Sequence, residues 1–138
     1  MKTVVVGVAD TETARRAAHE AADLARALGA ALHIVSAVSK RGVQTVSGGG
    51  EEWTFTDMDL AETHLKGVEL AVGEGIEVTR AVLYDDPAKA IVAEAERLDA
   101  DVIVVGSVRT SGPGRVLGSV AGDVLKSAPC AIHVAKTT

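Results

Sequence analysis

The sequence predicts a doubly wound α/β domain, a five-stranded parallel sheet with helices on both faces. Three observations predict it. Continuous β-branched runs, such as TVVVGV at 3–8 and DVIVV at 101–105, alternate along the chain with segments of helical period. Hydrophobic residues make up 47% of the chain while aromatic residues make up only 2%, namely Trp53, Phe55 and Tyr84, so the core must be built from Val, Ile, Leu and Ala. Small and β-branched side chains of this kind suit a parallel sheet covered by closely packed helices. The length, 138 residues, fits one domain over 1–138 and leaves little room for a second.

Each element follows from local chemistry. The strand at 3–8 is apolar without alternation, as a strand buried on both faces should be. Asp10 and Thr11 are candidate N-caps for a helix whose apolar face is Ala14, Ala17, Ala18, Ala21, Leu24, Ala25 and Leu28, with Gly29 as its stop. ALHIVSAV at 31–38 predicts a second strand. Residues 39–56 read as one long irregular stretch containing Gly48, Gly49 and Gly50, the length expected of a functional loop or lid. Met58, Ala61, Leu65, Val68 and Val72 mark a second helix, closed by Gly73 and Gly75, and 76–83 predicts the third strand. Asp86 followed by Pro87 is a helix start, with Ala90, Ile91, Ala95 and Leu98 facing inward. The fourth strand is 101–105; a Gly/Ser/Thr/Pro loop follows at 106–115. A helix then runs to about Ser127 with Val120, Val124 and Leu125 inward, Pro129 breaks it, and 131–135 is the last strand. Successive βαβ units of this kind cross over right-handed.

Composition narrows the function. A formal net charge of -5 argues against nucleic acid, which wants a basic face. One cysteine, Cys130, makes no internal disulfide and fits a reducing compartment. The apolar run after Met1 is too short for a signal peptide or a membrane span, so a cytoplasmic protein with no membrane partner is expected.

Ligands of doubly wound sheets bind at the carboxyl ends of the strands, which directs attention to the loops after Val8, Val38, Leu83 and Val105. The last is the strongest signal. GSVRTSGPGRVLGSV places glycine at 106, 112, 114 and 118, where N–H groups can approach an anion without a Cβ in the way. Gly118 and Ser119 lie where the next helix is set up, so free N–H groups and the helix dipole favour a phosphate there. Arg109 and Arg115 add positive charge. An ordinary Gly-rich strand-to-helix turn explains the same spacing, and the segment is neither a Walker loop nor a Gly-x-Gly-x-x-Gly dinucleotide pattern.

DVIVVGS, the Gly-rich loop, LGSVAGDVL and SAPCAIHVAK together resemble the closing third of the universal stress protein family. KTVVVGV with its Ala-rich helix, and Asp86-Pro87-Ala88 before the third helix, are similar too. The resemblance covers nearly the whole chain and is weakest over 39–56. It implies a Rossmann-like sheet of strand order 3-2-1-4-5, binding of ATP or another adenine nucleotide with or without Mg2+, and a homodimer joined through the last strand. That strand, AIHVA, would in a monomer be an exposed apolar edge. The resemblance places nucleotide contacts at Val8, Ala9, Asp10, Thr11, Ala37, Gly106, Ser107, Arg109, Gly118, Ser119 and the Val120 N–H, with backbone near Ala37 facing adenine. Two positions depart from the family pattern: Ala9 stands where nucleotide-binding members carry Asp, and Arg109 stands at their second glycine, with the spacing to Gly118 one residue short. Asp10 or Thr11 can substitute if the loop shifts, and Arg109 either obstructs phosphates or pairs with them, since guanidinium suits phosphate. The alternative function is a dimeric interaction protein of the same family with a degenerate site.

The remaining candidates are weaker. His19, His33, His64 and His133 show no metal-ligand spacing within one element; His33 and His133 fall in strands and read as structural or surface residues. Cys130 reads as a small buried hydrophobe. Trp53 and Phe55 could cap a ligand, but packing explains them better. A phospho-acceptor receiver domain shares the layout, yet gives the Gly-rich loop no role. No catalytic residues and no metal site are expected, and turnover is at most slow ATP hydrolysis.

Overall fold

A computed structural model of the chain describes residues 2–8, 12–38, 43–48, 51–106 and 119–136, with the backbone alone described at 12, 13, 43–48, 51–56 and 119. Five strands form the parallel sheet: β1 (Thr3–Gly7), β2 (Ala31–Val38), β5 (Val78–Tyr84), β6 (Val102–Gly106) and β7 (Ala131–Ala135). Their spatial order is β5-β2-β1-β6-β7, which counted over these five strands is 3-2-1-4-5. The expected Rossmann-like fold is therefore present. The winding reverses between β1 and β6: the chain steps outward from β1 to β2 to β5, then returns to the other side of β1.

Alternation along the strands sorts the core into two halves. Val4, Val6, Leu32, Ile34 and Val104 face α1 (Glu12–Leu28) and α2 (Asp57–Val72). Val5, Val35, Ile103 and Val105 face α3 (Pro87–Arg97) and α4 (Ser119–Ser127). Ala17, Ala18, Ala21, Ala22 and Ala25 of α1 are all fully buried, and such short side chains let the helix axis lie close to the sheet. On the other face Gly7 does the same for α3. A Cβ at Gly7 would stand 2.3 Å from Ile91 Cδ1, so a side chain there would force Ile91 out of its place in the α3 interface.

The helix ends match the expected chemistry where they are described. The Asp86 carboxylate accepts from the Lys89 N–H, and Pro87 occupies the first turn of α3. Gly29 ends α1 at φ +65°, a left-handed conformation that disfavours a side chain. The Asp10 and Thr11 caps lie outside the described residues.

Four expectations need correction. Residues 39–56 are not one irregular stretch: β3 (Val43–Gly48) and β4 (Glu51–Thr56) pair antiparallel as a separate hairpin. The physical reason is in the sequence, since β-formers on both sides of a glycine run are the signature of a hairpin. The third parallel strand starts at Val78 rather than Ile76, because the chain is still turning through Gly75 at φ +79°. Leu125 is 49% exposed rather than inward, as α4 turns only the stripe containing Ala121 and Val124 to the core. Leu28 is likewise exposed in the last turn of α1.

Candidate functional site

The carboxyl ends of β1 and β6 lie side by side at the point where the winding reverses. Their register pairs Val6 with Val104, and two residues further along each strand come Val8 and Gly106. Val8 is buried, and its N–H donates to the Val35 carbonyl at 2.8 Å, which ties the exit of β1 to β2. Gly106 closes β6 opposite Ala135 of β7. Ala37 sits one strand over on β2, half-buried and paired with Leu83 of β5. Doubly wound folds take their ligands in the crevice outside this end of the sheet, at the point where the winding reverses.

The N-terminus of α4 supplies the polar part. Ser119 is its first residue, and the N–H groups of its first turn have no partners within the helix. Helix N-termini of this kind attract anions through those donors and through the dipole. Ala121 and Val124 anchor the helix in the α3/α4 half of the core, while Val120 is half-buried above them. The structure thus places Val8, Ala37, Gly106, Ser119 and Val120 on the carboxyl side of the sheet. Ala9, Asp10, Thr11, Ser107, Arg109 and Gly118 lie outside the described residues.

The β3–β4 hairpin leaves the same end of β2 and returns into α2. Trp53 and Phe55 belong to β4, where their backbones pair with Val46 and Gln44. On the far side, β5 ends at Tyr84 and the Asp85 N–H donates to the Val38 carbonyl, so Asp85 and Asp86 serve the turn into α3. Among the described residues, no group of three or more His, Cys, Asp and Glu side chains could hold a metal ion.

One polar cluster escaped sequence reasoning. His33 is 3% exposed, and its Nε2 donates to Glu94 Oε1 at 2.8 Å; its Nδ1 lies 2.6 Å from Thr79 Oγ1. Arg97 donates from Nε to Glu94 Oε2 at 2.8 Å and from Nη2 to Oε1 at 2.9 Å. That two-pronged guanidinium bond is the main reason the Glu94 carboxyl is lowered to about 2; burial opposes the shift, and the His33 bond adds to it. Glu94 and Arg97 lie at i,i+3 spacing on α3, but no spacing signal links them to His33 or Thr79. The β2–β5 register brings His33 beside Thr79, and packing brings α3 over both. His133 is also tied down, with Nε2 2.5 Å from Glu20 Oε1 of α1. Burial pushes the Cys130 thiol up, with Asp101 adding to the shift, so it is a poor thiolate source.

Comparison with known proteins agrees with the geometry. The model of the universal stress protein family matches residues 1–136. A universal stress protein of Methanothermobacter thermautotrophicus is 46% identical over 59 residues, which span 42% of this chain and 40% of that one. One from Methanocaldococcus jannaschii is 28% identical over 139 residues, covering 98% of this chain and 82% of its own. The universal stress protein of Archaeoglobus fulgidus in complex with dAMP superposes with a TM-score of 0.72 at 27% identity, covering 99% of this chain and 98% of that one. A universal stress protein in complex with cAMP gives 0.71 at 27% identity, covering 99% and 98%. With its sheet order, its helices and its full-length match all in agreement, this chain belongs to the universal stress protein family.

Proposed function

We propose that this protein binds an adenine nucleotide in the crevice above β1, β2 and β6, with ATP, AMP or a related nucleotide as ligand. The phosphates would lie against the Gly106–Ser119 segment and the Val120 N–H, and the adenine would reach toward backbone groups near Ala37. Val8, Ala9, Asp10 and Thr11 would border the ribose side; Ser107, Arg109 and Gly118 would complete the phosphate side. The observation that supports this reading is the meeting of the β1 and β6 ends at the winding reversal, in a chain whose full-length structural relatives include complexes with dAMP and cAMP. An anion at the start of α4 gains from the N–H groups and the dipole together.

Calorimetric titration with ATP, AMP and cAMP tests it. Saturable heat from at least one is expected, and Gly118→Val should abolish it, because a branched side chain there would occupy the path of the phosphates. No heat from any of the three at high protein concentration would overturn the reading.

The functional unit in this reading is a homodimer in the cytoplasm, joined through β7 and in contact with neither nucleic acid nor membrane. β7 is an outer strand, with Ile132, His133 and Val134 half-buried, and pairing with a second copy would satisfy its outward backbone groups. No helix among the described residues is long and apolar enough to cross a membrane. Sedimentation velocity at micromolar concentration should give a dimer, and His133→Pro in the strand should give a monomer. A monomeric parent protein would refute the pairing.

A further inference from the structure

We propose that Thr79 is an activated nucleophile, an acceptor of acyl groups from activated esters, with His33 as its general base and Glu94 and Arg97 as positioning residues. The hydrogen-bond chain fixes the roles. The Glu94 carboxylate can only accept, so the hydrogen lies on His33 Nε2 and points at Oε1. In the neutral ring Nδ1 is then the acceptor, and the Thr79 hydroxyl donates to it across 2.6 Å. A hydroxyl bonded to a base, with the base held by a carboxylate and the carboxylate held by a guanidinium, is the arrangement that activates a weak nucleophile.

The surroundings differ at the two ends of the chain. His33 and Glu94 are buried, which keeps competing water from their bond. Thr79 is exposed on β5, an outer strand of the sheet, on the face that carries His33 and α3. The same edge offers a place for negative charge. Leu32 N–H donates to the Glu77 carbonyl and Asp85 N–H to the Val38 carbonyl, so the odd-numbered N–H groups of β5 point at β2. The Arg80 N–H therefore points outward, directly after the nucleophile, where a carbonyl oxygen developing charge could accept from it.

The step balances within these groups. Thr79 Oγ forms a bond to the ester carbonyl carbon as its proton passes to His33 Nδ1, and the carbonyl π pair moves to oxygen. The tetrahedral species collapses, the bond to the leaving oxygen breaks, and His33 returns the proton to that oxygen. The products are an ester on Thr79 and a free alcohol or phenol.

The test uses the full chain and p-nitrophenyl acetate, followed by p-nitrophenolate release, intact mass and peptide mapping. One acetyl group should appear on Thr79. Thr79→Ser should still accept it, Thr79→Val should not, and His33→Gln should slow labelling on the order of 10²-fold. The exposed position of Thr79 keeps the Ser/Val pair informative even if His33→Gln unfolds. Acetylation confined to lysines, or labelling of Thr79 at an undiminished rate in folded His33→Gln, would overturn the proposal.

Discussion

The two faces of the sheet are built to different rules. Among the described residues the buried set toward α1 and α2 is wholly apolar, with Val, Leu and Ile of the strands against five buried alanines of α1. Toward α3 and α4 the same strands present Val5, Val35 and Ile103, but position 33 of β2 presents a histidine, and α3 answers with a glutamate. His33 and Glu94 are the buried polar side chains among the described residues. A buried polar group is tolerable only when every partner is in place, and a half-satisfied pair costs more than an apolar one. The first face shows what holds this fold together. The second carries a buried polar cluster among its apolar residues, and that contrast is what makes it a candidate for chemistry.

The largest effect should come from the apolar face. Ile34 is fully buried between the sheet and α2, and Ile34→Ala removes its contacts and leaves a cavity among stiff neighbours. A loss of about 3 kcal/mol is expected in denaturant titration. If the midpoint barely moved, the alanine-lined interface would be collapsing to fill the space, and the two faces would be more alike than their packing suggests.

Next comes Glu94→Gln, which keeps the shape and removes the charge. Arg97 and His33 would each lose their anionic acceptor, at a cost of about 2 kcal/mol once the exposure of Arg97 is allowed for. The pH dependence follows from the same group. Its carboxyl is at about 2 in the folded chain against 4.5 as a free side chain, so the folded state binds this proton less readily than the unfolded one. The stabilisation is full above about pH 4.5 and is lost as pH falls toward 2. Urea titrations over that interval should show the parent protein losing stability faster than Glu94→Gln. Parallel curves would mean that Glu94 is not held as an anion.

The contrast between the faces also explains what could be read in advance. Continuous Val/Ile runs and an Ala-rich helical stripe betray the apolar face, because a face that excludes polar groups leaves a period in the chain. Asp86 and Pro87 were legible for a similar reason: a cap acts within four residues of itself. Gly106, Gly118 and Ser119 were visible as a pattern, and the fold places Gly106 and Ser119 at the crevice end of the sheet. The hairpin is less legible because Gly48, Gly49 and Gly50 carry the composition of a loop, although Val43–Gly48 and Glu51–Thr56 on either side are its two strands. His33, Thr79 and Glu94 were not legible at all. Their residues are 46 and 61 positions apart, joined only through strand register and helix packing, and such partners leave no local trace.

The smallest effect is the most discriminating. Replacing both partners, as His33→Leu with Glu94→Leu, removes the charge and its donor together and fills the space with apolar side chains. Thr79 is exposed and Arg97 is 58% exposed, so water can take over the bonds that each would lose. Such double replacements are near neutral in other buried pairs, and a change within about 1 kcal/mol is expected here. Denaturant titration of the double variant beside Glu94→Gln measures it. Near-neutral stability combined with loss of Thr79 acetylation would separate what the cluster does from what the fold needs. A loss as large as that of Ile34→Ala would instead make the cluster part of the core, and would erase the distinction between the two faces.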